Sequence, residues 1–277
     1  MCIRQVSIVK YVLVTGAGGG MGSATVEKLK TLGYTVFALD ILSAQVHEGA
    51  IPVVADITDE SSLQKAFDFI SGITHELYAI IHFSGVYMLD SLVEIPEMRF
   101  MRAFDINVFG AYRVNRMFLP LLGKGSRIII TSSELAPLEP LPFTGLYAIT
   151  KAALDKYAAS LRMELQLLDI SVSVLRPGAV KTKMLGVSTD ELGAFSERSV
   201  LYRYNAEKFR QIVDRVESRN IDAKKIAGKV VRILESKCVR PVYAINRNPL
   251  LLLLNVLPVG AQNRIIKWIL KEKSPTE

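Results

Sequence analysis

Cysteine, histidine and tryptophan are scarce in this chain. Cys2 and Cys238 are the only thiols among 277 residues, so a disulfide framework and thiol-based metal ligation are both excluded. His47, His75 and His82 fall in separate segments, and no metal cluster is expected from them. There is no internal repeat and no low-complexity linker. Long apolar runs are missing too: the stretch from Pro249 to Pro258 is ten residues long, whereas a membrane-spanning helix needs about 20. Met1 to Ser7 is too short, and has too little apolar character before the first strand, to read as a secretory signal. A reducing, cytoplasmic setting is therefore expected.

The net charge is +7. Its distribution argues against nucleic acid as a partner, because basic residues are spread over helices and become denser only after Arg198, with no aromatic-basic strip.

Half of the chain is hydrophobic, and strand-like and helix-like segments alternate throughout. That pattern predicts a single α/β domain, a doubly wound parallel sheet of about seven strands with helices on both faces. Lys10 to Thr15 is a short apolar run suited to a buried parallel strand, and Gly16-Ala17-Gly18-Gly19-Gly20-Met21-Gly22 follows at once. Ala24, Val26 and Leu29 then recur at helical spacing until Gly33 stops the helix. Strand, glycine turn and helix together make a phosphate cradle: glycine permits positive φ and close approach, and the N–H groups of the first helical turn face an anion.

Tyr34 to Leu39 predicts a second strand ending on Asp40. A carboxylate there accepts hydrogen bonds from adenosine ribose hydroxyls and repels a 2′-phosphate. Neither the glycine turn nor Ile41-Leu42-Ser43 carries a cation to neutralise such a phosphate, so NAD is expected rather than NADP. Ile51 to Ala55 predicts a third strand, with Asp56-Ile57 at its tip and Asp59 capping the next helix. Asp56 either touches the adenine edge or opens a turn. Leu77 to Phe83 predicts a fourth strand, with Ser84-Gly85 placing backbone near the cofactor.

Pro96 opens a helix in which Asn107, between Ile106 and Val108, requires hydrogen-bond partners; holding a water beside Lys151 is one way to satisfy it. Arg127 to Ser133 predicts a fifth strand and Ile170 to Leu175 a sixth, which runs into Arg176-Pro177-Gly178. In a parallel sheet Gly16, Asp40, Asp56, Gly85 and Ser133 converge at the carboxyl ends of the strands. On the helix from Gly145 to Leu168, Tyr147 and Lys151 lie one turn apart on one face. An ammonium beside a phenol favours the phenolate and moves its pKa down from about 10. Residues 183–220 have an irregular pattern and are expected to form a lid over the substrate.

Residues 1–248 are thus read as the catalytic unit and 249–277 as a Leu-rich, basic helical extension. Ile265, Ile266, Trp268, Ile269 and Leu270 are interleaved there with Arg264, Lys267, Lys271 and Lys273. The extension has three available roles: peripheral membrane contact, closure over a lipophilic substrate, or packing against a second subunit.

With these motifs assembled, the chain resembles the short-chain dehydrogenase/reductase family over residues 8–245. Thr15 to Gly22 looks like its Thr-Gly-x-x-x-Gly-x-Gly cofactor motif and Tyr147-Ala148-Ile149-Thr150-Lys151 like its catalytic pair. Asn107-Val108-Phe109-Gly110 matches its helix Asn segment, and Pro177-Gly178 with Val180 and Thr182 its nicotinamide-side loop. The resemblance implies that Ser133 polarises the substrate oxygen and Tyr147 exchanges its proton. It also implies that Lys151 lowers the Tyr147 pKa and binds nicotinamide ribose, that Asn107 positions a water, and that the protein is a homo-oligomer, a dimer or tetramer.

Two departures stand out: His82-Phe83-Ser84-Gly85 replaces the usual Asn-Asn-Ala-Gly, and the spacing from Ser133 to Tyr147 is one residue longer than is usual, which keeps Ser132 as a rival. The long lid and Leu-rich tail look like those of hydroxysteroid and retinol dehydrogenases. The expected activity is NAD(H)-dependent hydride exchange with a lipophilic secondary alcohol or ketone. The competing readings are a catalytically silent NAD-binding sensor and a membrane-associated scaffold.

Overall fold

The computed structural model describes residues 9–42, 49–182, 192–217 and 219–271. Cys2, the segment before Lys10 up to residue 8, Ser43, Lys273 and the first part of the expected lid, 183–191, lie outside the described residues.

Seven strands form one all-parallel sheet in the order β3-β2-β1-β4-β5-β6-β9. They are β1 (Tyr11–Thr15), β2 (Thr35–Asp40), β3 (Ile51–Val54), β4 (Leu77–His82), β5 (Leu122–Thr131), β6 (Ser171–Pro177) and β9 (Val242–Ile245). A further short parallel pair, β7 (Val180–Lys181) with β8 (Ile221–Asp222), was not apparent in the sequence pattern. Strands buried on both faces carry continuous apolar runs, and here the two faces are filled by alternate residues.

Val12, Val14, Val36, Ala38 and Ile81 face α1 (Gly20–Thr31) and α8 (Ala223–Glu235), meeting Val26, Leu29, Ile226 and Val230. On the other face, Leu13, Phe37, Leu39 and Ile80 pack with Leu63 and Ile70 of α2 (Glu60–Ser71) and with Val114 and Phe118 of α4 (Gly110–Phe118). Ile128, Ile130, Val172 and Val174 meet Leu154 and Ala158 of α5 (Gly145–Leu165).

The helix opened by Pro96 is not uniform. Glu97–Phe104 (α3) passes through one π-helical turn, Asp105–Phe109, before α4 continues the rod. Such a turn breaks the i→i+4 ladder and is frequent at functional sites; Asn107 sits in it.

The segment 183–220 is not irregular where it is described. Residues 192–198 are helical (α6), and Arg203–Glu217 forms α7. Ala206, Phe209 and Val213 supply a narrow apolar stripe that packs on Leu89, Leu192, Phe195 and Leu270, and the high polarity of the rest of α7 masks that stripe in the sequence. The C-terminal segment is split by Pro258 into α9 (Pro249–Val256) and α10 (Val259–Leu270). Both are tied to the body: Asn255 Oδ1 accepts from Glu139 N at 2.8 Å, and Asn205 Nδ2 donates to the Leu270 carbonyl at 2.7 Å.

Strand order reverses between β1 and β4, so the connections leaving their carboxyl ends run in opposite directions and open a crevice there. Two cavities occupy it.

Candidate active site

The first cavity, about 750 Å³, is lined by the glycine turn, Asp40, Ile41, Asp56, Ile57, Ser84, Gly85 and Thr182. Backbone geometry explains its shape. Gly16 has φ of +67°, and a Cβ there would meet Ser84 N at 2.5 Å; a Cβ on Gly22 would meet the Gly16 carbonyl at 2.0 Å. Helix α1 starts at Gly20 with no side chain capping it, which leaves its first-turn N–H groups for an anion. Thr182 lies over the turn, where a Cβ on Gly20 would come within 2.7 Å of its methyl. These contacts fit a dinucleotide whose pyrophosphate approaches bare backbone.

Asp40 does more than the sequence suggests. Its Oδ2 accepts from Gly18 N at 2.9 Å and its Oδ1 from Ile41 N at 2.8 Å, so the carboxylate braces the glycine turn while keeping lone pairs toward the cavity. Asp56 makes a turn: Oδ1 accepts from Thr58 N at 2.8 Å and Thr58 Oγ1 at 2.7 Å, and the residue still lines the cavity. Arg102, on α3, also lines it. The absence of a cation from the glycine turn and from Ile41-Leu42-Ser43 does not extend to the whole cavity, because a residue 62 positions after Asp40 lines it too.

The second cavity, about 550 Å³, adjoins the first; Met21, Phe83, Gly85, Val86 and Thr182 line both. Ser133, Tyr147 and Lys151 lie at its polar end, together with Pro177, Gly178 and Val180. The Ser133 side chain lies close enough to the Tyr147 phenol to favour its ionised form, and Ser133 Oγ also accepts from Leu135 N at 3.2 Å. Ser132 Oγ instead donates to the Lys151 carbonyl at 3.2 Å, and of the two serines it is Ser133 that acts on the phenol's ionisation. Lys151 Nζ lies 5.6 Å from the centroid of the Tyr147 ring and donates to the Thr131 carbonyl at 3.2 Å.

The electrostatics differ from the sequence expectation. Burial pushes Tyr147 up to about 12, with Ser133 opposing, and pushes Lys151 down to about 8, with Asp155 opposing. In the protein alone the phenol thus stands above its ordinary value, because desolvation of its charged form outweighs the effect of Ser133.

The Asn107 side chain is fully committed to protein. Oδ1 accepts from Val86 N at 2.7 Å, and Nδ2 donates to the Val86 carbonyl and to Thr150 Oγ1, each at 3.0 Å. The amide thus fastens the loop after β4 to the residue preceding Lys151, so protein groups meet the hydrogen-bonding need that the sequence raised. His82, where an amide is usual, is buried and held neutral, its pKa pushed down to about 4; it pairs with Asn115 Oδ1 at 2.8 Å, and Asn115 in turn donates to Tyr157.

Several residues around the cavity escaped sequence reasoning. The Tyr87 ring meets Tyr147 edge-on with centroids 4.5 Å apart. Glu134, next to Ser133, is buried and accepts from Asn248 N through Oε2 at 2.6 Å. Leu250, Leu251 and Leu254 of α9, with Ile266 and Leu270 of α10, line the same cavity as Tyr147. The sequence left three roles open for this tail, closure over a substrate among them, without choosing one.

The family model described as short chain dehydrogenase matches residues 10–193. The chain belongs to this family. Its members are oxidoreductases that use a nicotinamide cofactor. This short-chain dehydrogenase is 28% identical over 246 residues to the rat Estradiol 17-beta-dehydrogenase 2, a match covering 84% of the chain but only 63% of that enzyme's length. It is 28% identical over 266 residues to the Probable short-chain type dehydrogenase/reductase VdlC of Helicobacter pylori, covering 93% and 96% of the two chains. A short chain dehydrogenase from Burkholderia cenocepacia, solved in complex with NADP, superposes with a TM-score of 0.69 at 22% identity, covering 86% and 96%; that likeness concerns the fold.

Proposed function

We propose that this short-chain dehydrogenase exchanges a hydride between NAD(H) and a lipophilic secondary alcohol or ketone, with Tyr147 as the acid/base. One observation carries the reading: the Tyr147–Ser133 pair forms the polar end of a 550 Å³ cavity whose other walls are almost entirely apolar. Such a pocket takes a bulky apolar molecule and fixes one oxygen.

Ser133 and Tyr147 hold the substrate oxygen between two hydroxyls. Tyr147 gives its proton to that oxygen in ketone reduction and takes it back in alcohol oxidation. The raised phenol pKa keeps the proton in place until the oxygen becomes basic. When bound, the nicotinamide supplies the carbon that gives or accepts hydride and, in the oxidised form, a positive charge that favours the phenolate. Lys151 would hold the nicotinamide ribose and return protons toward solvent, while Asn107 fixes the helix turn and loop that carry this end of the site. Asp40 supports the choice of NAD, by its carboxylate at the ribose end of the first cavity, and Arg102 is the residue that opposes it.

The test follows the NADH absorbance band across steroid, retinoid and long-chain ketones, against short water-soluble ketones, with NADH and NADPH in parallel. Turnover that rises with apolar bulk and prefers NADH is the expected result. Equal use of polar and apolar ketones removes the lipophilic part, and no turnover with either cofactor favours a silent nucleotide binder.

A further inference from the structure

The wall of the substrate cavity formed by α9 and α10 is also the outer surface of the protein. Leu250, Leu253, Leu257, Ile265 and Ile269 line the cavity, yet they are 59%, 66%, 37%, 37% and 37% exposed. A side chain that is both lining and exposed marks the rim of an opening. Beyond the rim, Val256, Val259 and Trp268 are 80%, 52% and 81% exposed. Single exposed apolar residues are ordinary, but eight on two adjoining short helices mark an interaction surface.

Charge identifies the occupant. From Ser236 to Lys271 the chain carries six cations, Lys237, Arg240, Arg247, Arg264, Lys267 and Lys271, and no carboxylate. The last four are exposed: Arg247 precedes α9 and faces Glu134, Arg264 and Lys267 lie on α10, and Lys271 follows it. On α10, Arg264 and Lys267 are exposed while Gln262 and Leu270 are buried, Lys271 follows at the C-cap, and Arg264 stands one turn before Trp268. A second copy using the same patch would set these cations against themselves, since a two-fold interface pairs a surface with its own image. An anionic bilayer offers the complement: negative headgroups for the cations, acyl chains for the leucines, and an interfacial level for an exposed tryptophan. No helix among the described residues is long and apolar enough to cross a membrane.

We propose that the α9–α10 face docks peripherally on anionic membrane, with the rim of the cavity turned toward the bilayer so that an apolar substrate enters from the lipid. The route of substrate entry rests on the lipophilic-substrate reading above, whereas the docking does not.

Trp268 is the only tryptophan in the chain, so its emission reports on this face alone. The full chain is titrated with vesicles of phosphatidylcholine, with and without phosphatidylserine. The expected result is a blue shift of the emission, and quenching by lipids with brominated chains, on the phosphatidylserine vesicles and reversed by salt. Replacing Arg264 and Lys267 together by Ala should weaken partitioning roughly 30-fold, about fivefold per cation, with unchanged thermal unfolding and unchanged turnover of a short soluble ketone.

Emission that is identical with and without phosphatidylserine overturns the proposal. So does a double variant that binds as the parent does, or a blue shift that appears with protein concentration in the absence of lipid, which assigns the face to a second copy. Because the optical signal needs no turnover, an inactive protein that still inserts Trp268 sinks the enzymatic reading alone. An active one that never inserts sinks the docking alone.

Discussion

Glu134 Oε2 accepts the main-chain N–H of Asn248 at 2.6 Å, so the residue that follows the pocket serine holds the N-cap of the helix that walls the cavity. Asn248 completes the join by accepting from Leu250 N at 2.9 Å. The reacting end and the apolar cover are thereby one mechanical unit.

Glu134→Ala should leave a buried N–H without an acceptor, costing about 1–3 kcal/mol and raising KM for bulky ketones more than it lowers kcat. Burial raises the Glu134 pKa. In the pH range just above its ordinary carboxylate value the native state therefore holds the proton more tightly than the unfolded chain, and stability falls as pH rises through the raised value. Glu134→Gln should flatten that dependence while still accepting from Asn248. Thermal unfolding across pH 4 to 8 (~4 pH units, bracketing the ordinary carboxylate value) checks both; a Gln variant with the parent's slope contradicts the assignment.

Tyr147→Phe should lose at least ~100-fold in turnover while binding NADH as before, the scale of a positioned proton donor. With the phenol pushed up to about 12, ketone reduction should stay level from neutral into alkaline pH, while alcohol oxidation climbs as the proton becomes easier to remove. Steady-state rates in both directions test this, and near-normal turnover of the Phe variant ends the acid/base role.

Lys151 is pushed down to about 8 by burial. Between that value and about 10.5 the unfolded chain binds a proton that the native site does not, so stability in this window rises with pH and is lost as pH falls through the native value. Lys151→Met should stabilise the cofactor-free protein at pH 7 by roughly 1–3 kcal/mol and abolish turnover. A destabilised, still active variant would contradict it.

Asp40→Asn should narrow the preference for NADH over NADPH by ~10-fold or more, since it removes the charge facing a 2′-phosphate while keeping an acceptor for Gly18 N. Adding Arg102→Ala should then take back the gain with NADPH. Binding constants for both cofactors decide it; if Arg102→Ala leaves NADPH binding unchanged, its place in the cavity is electrostatically idle.

Gly22→Ala should abolish cofactor binding, because the new methyl would lie 2.0 Å from the Gly16 carbonyl and the turn has no flexible side chain to yield. Equilibrium dialysis with NADH, beside far-ultraviolet circular dichroism to show that the sheet persists, measures the effect.

Sequence periodicity determined the local order of this protein. Continuous apolar runs at Val12 to Val14 and Ile128 to Ile130 could only be strands buried on two faces, the glycines from Gly16 to Gly22 could only serve a close approach, and a four-residue spacing puts Tyr147 and Lys151 on one helical face. These are properties of neighbours along the chain, and they survive without knowledge of anything distant. What tertiary structure alone decided involves pairs far apart in sequence. Arg102 lines the cavity of Asp40, Glu134 grips Asn248, Asn107 fastens Val86 to Thr150, and α9 with α10 lines the cavity of Tyr147. The direction of the Tyr147 shift belongs to the same class, because burial is a sum over every element that closes around the phenol, and here it outweighs the effect of Ser133.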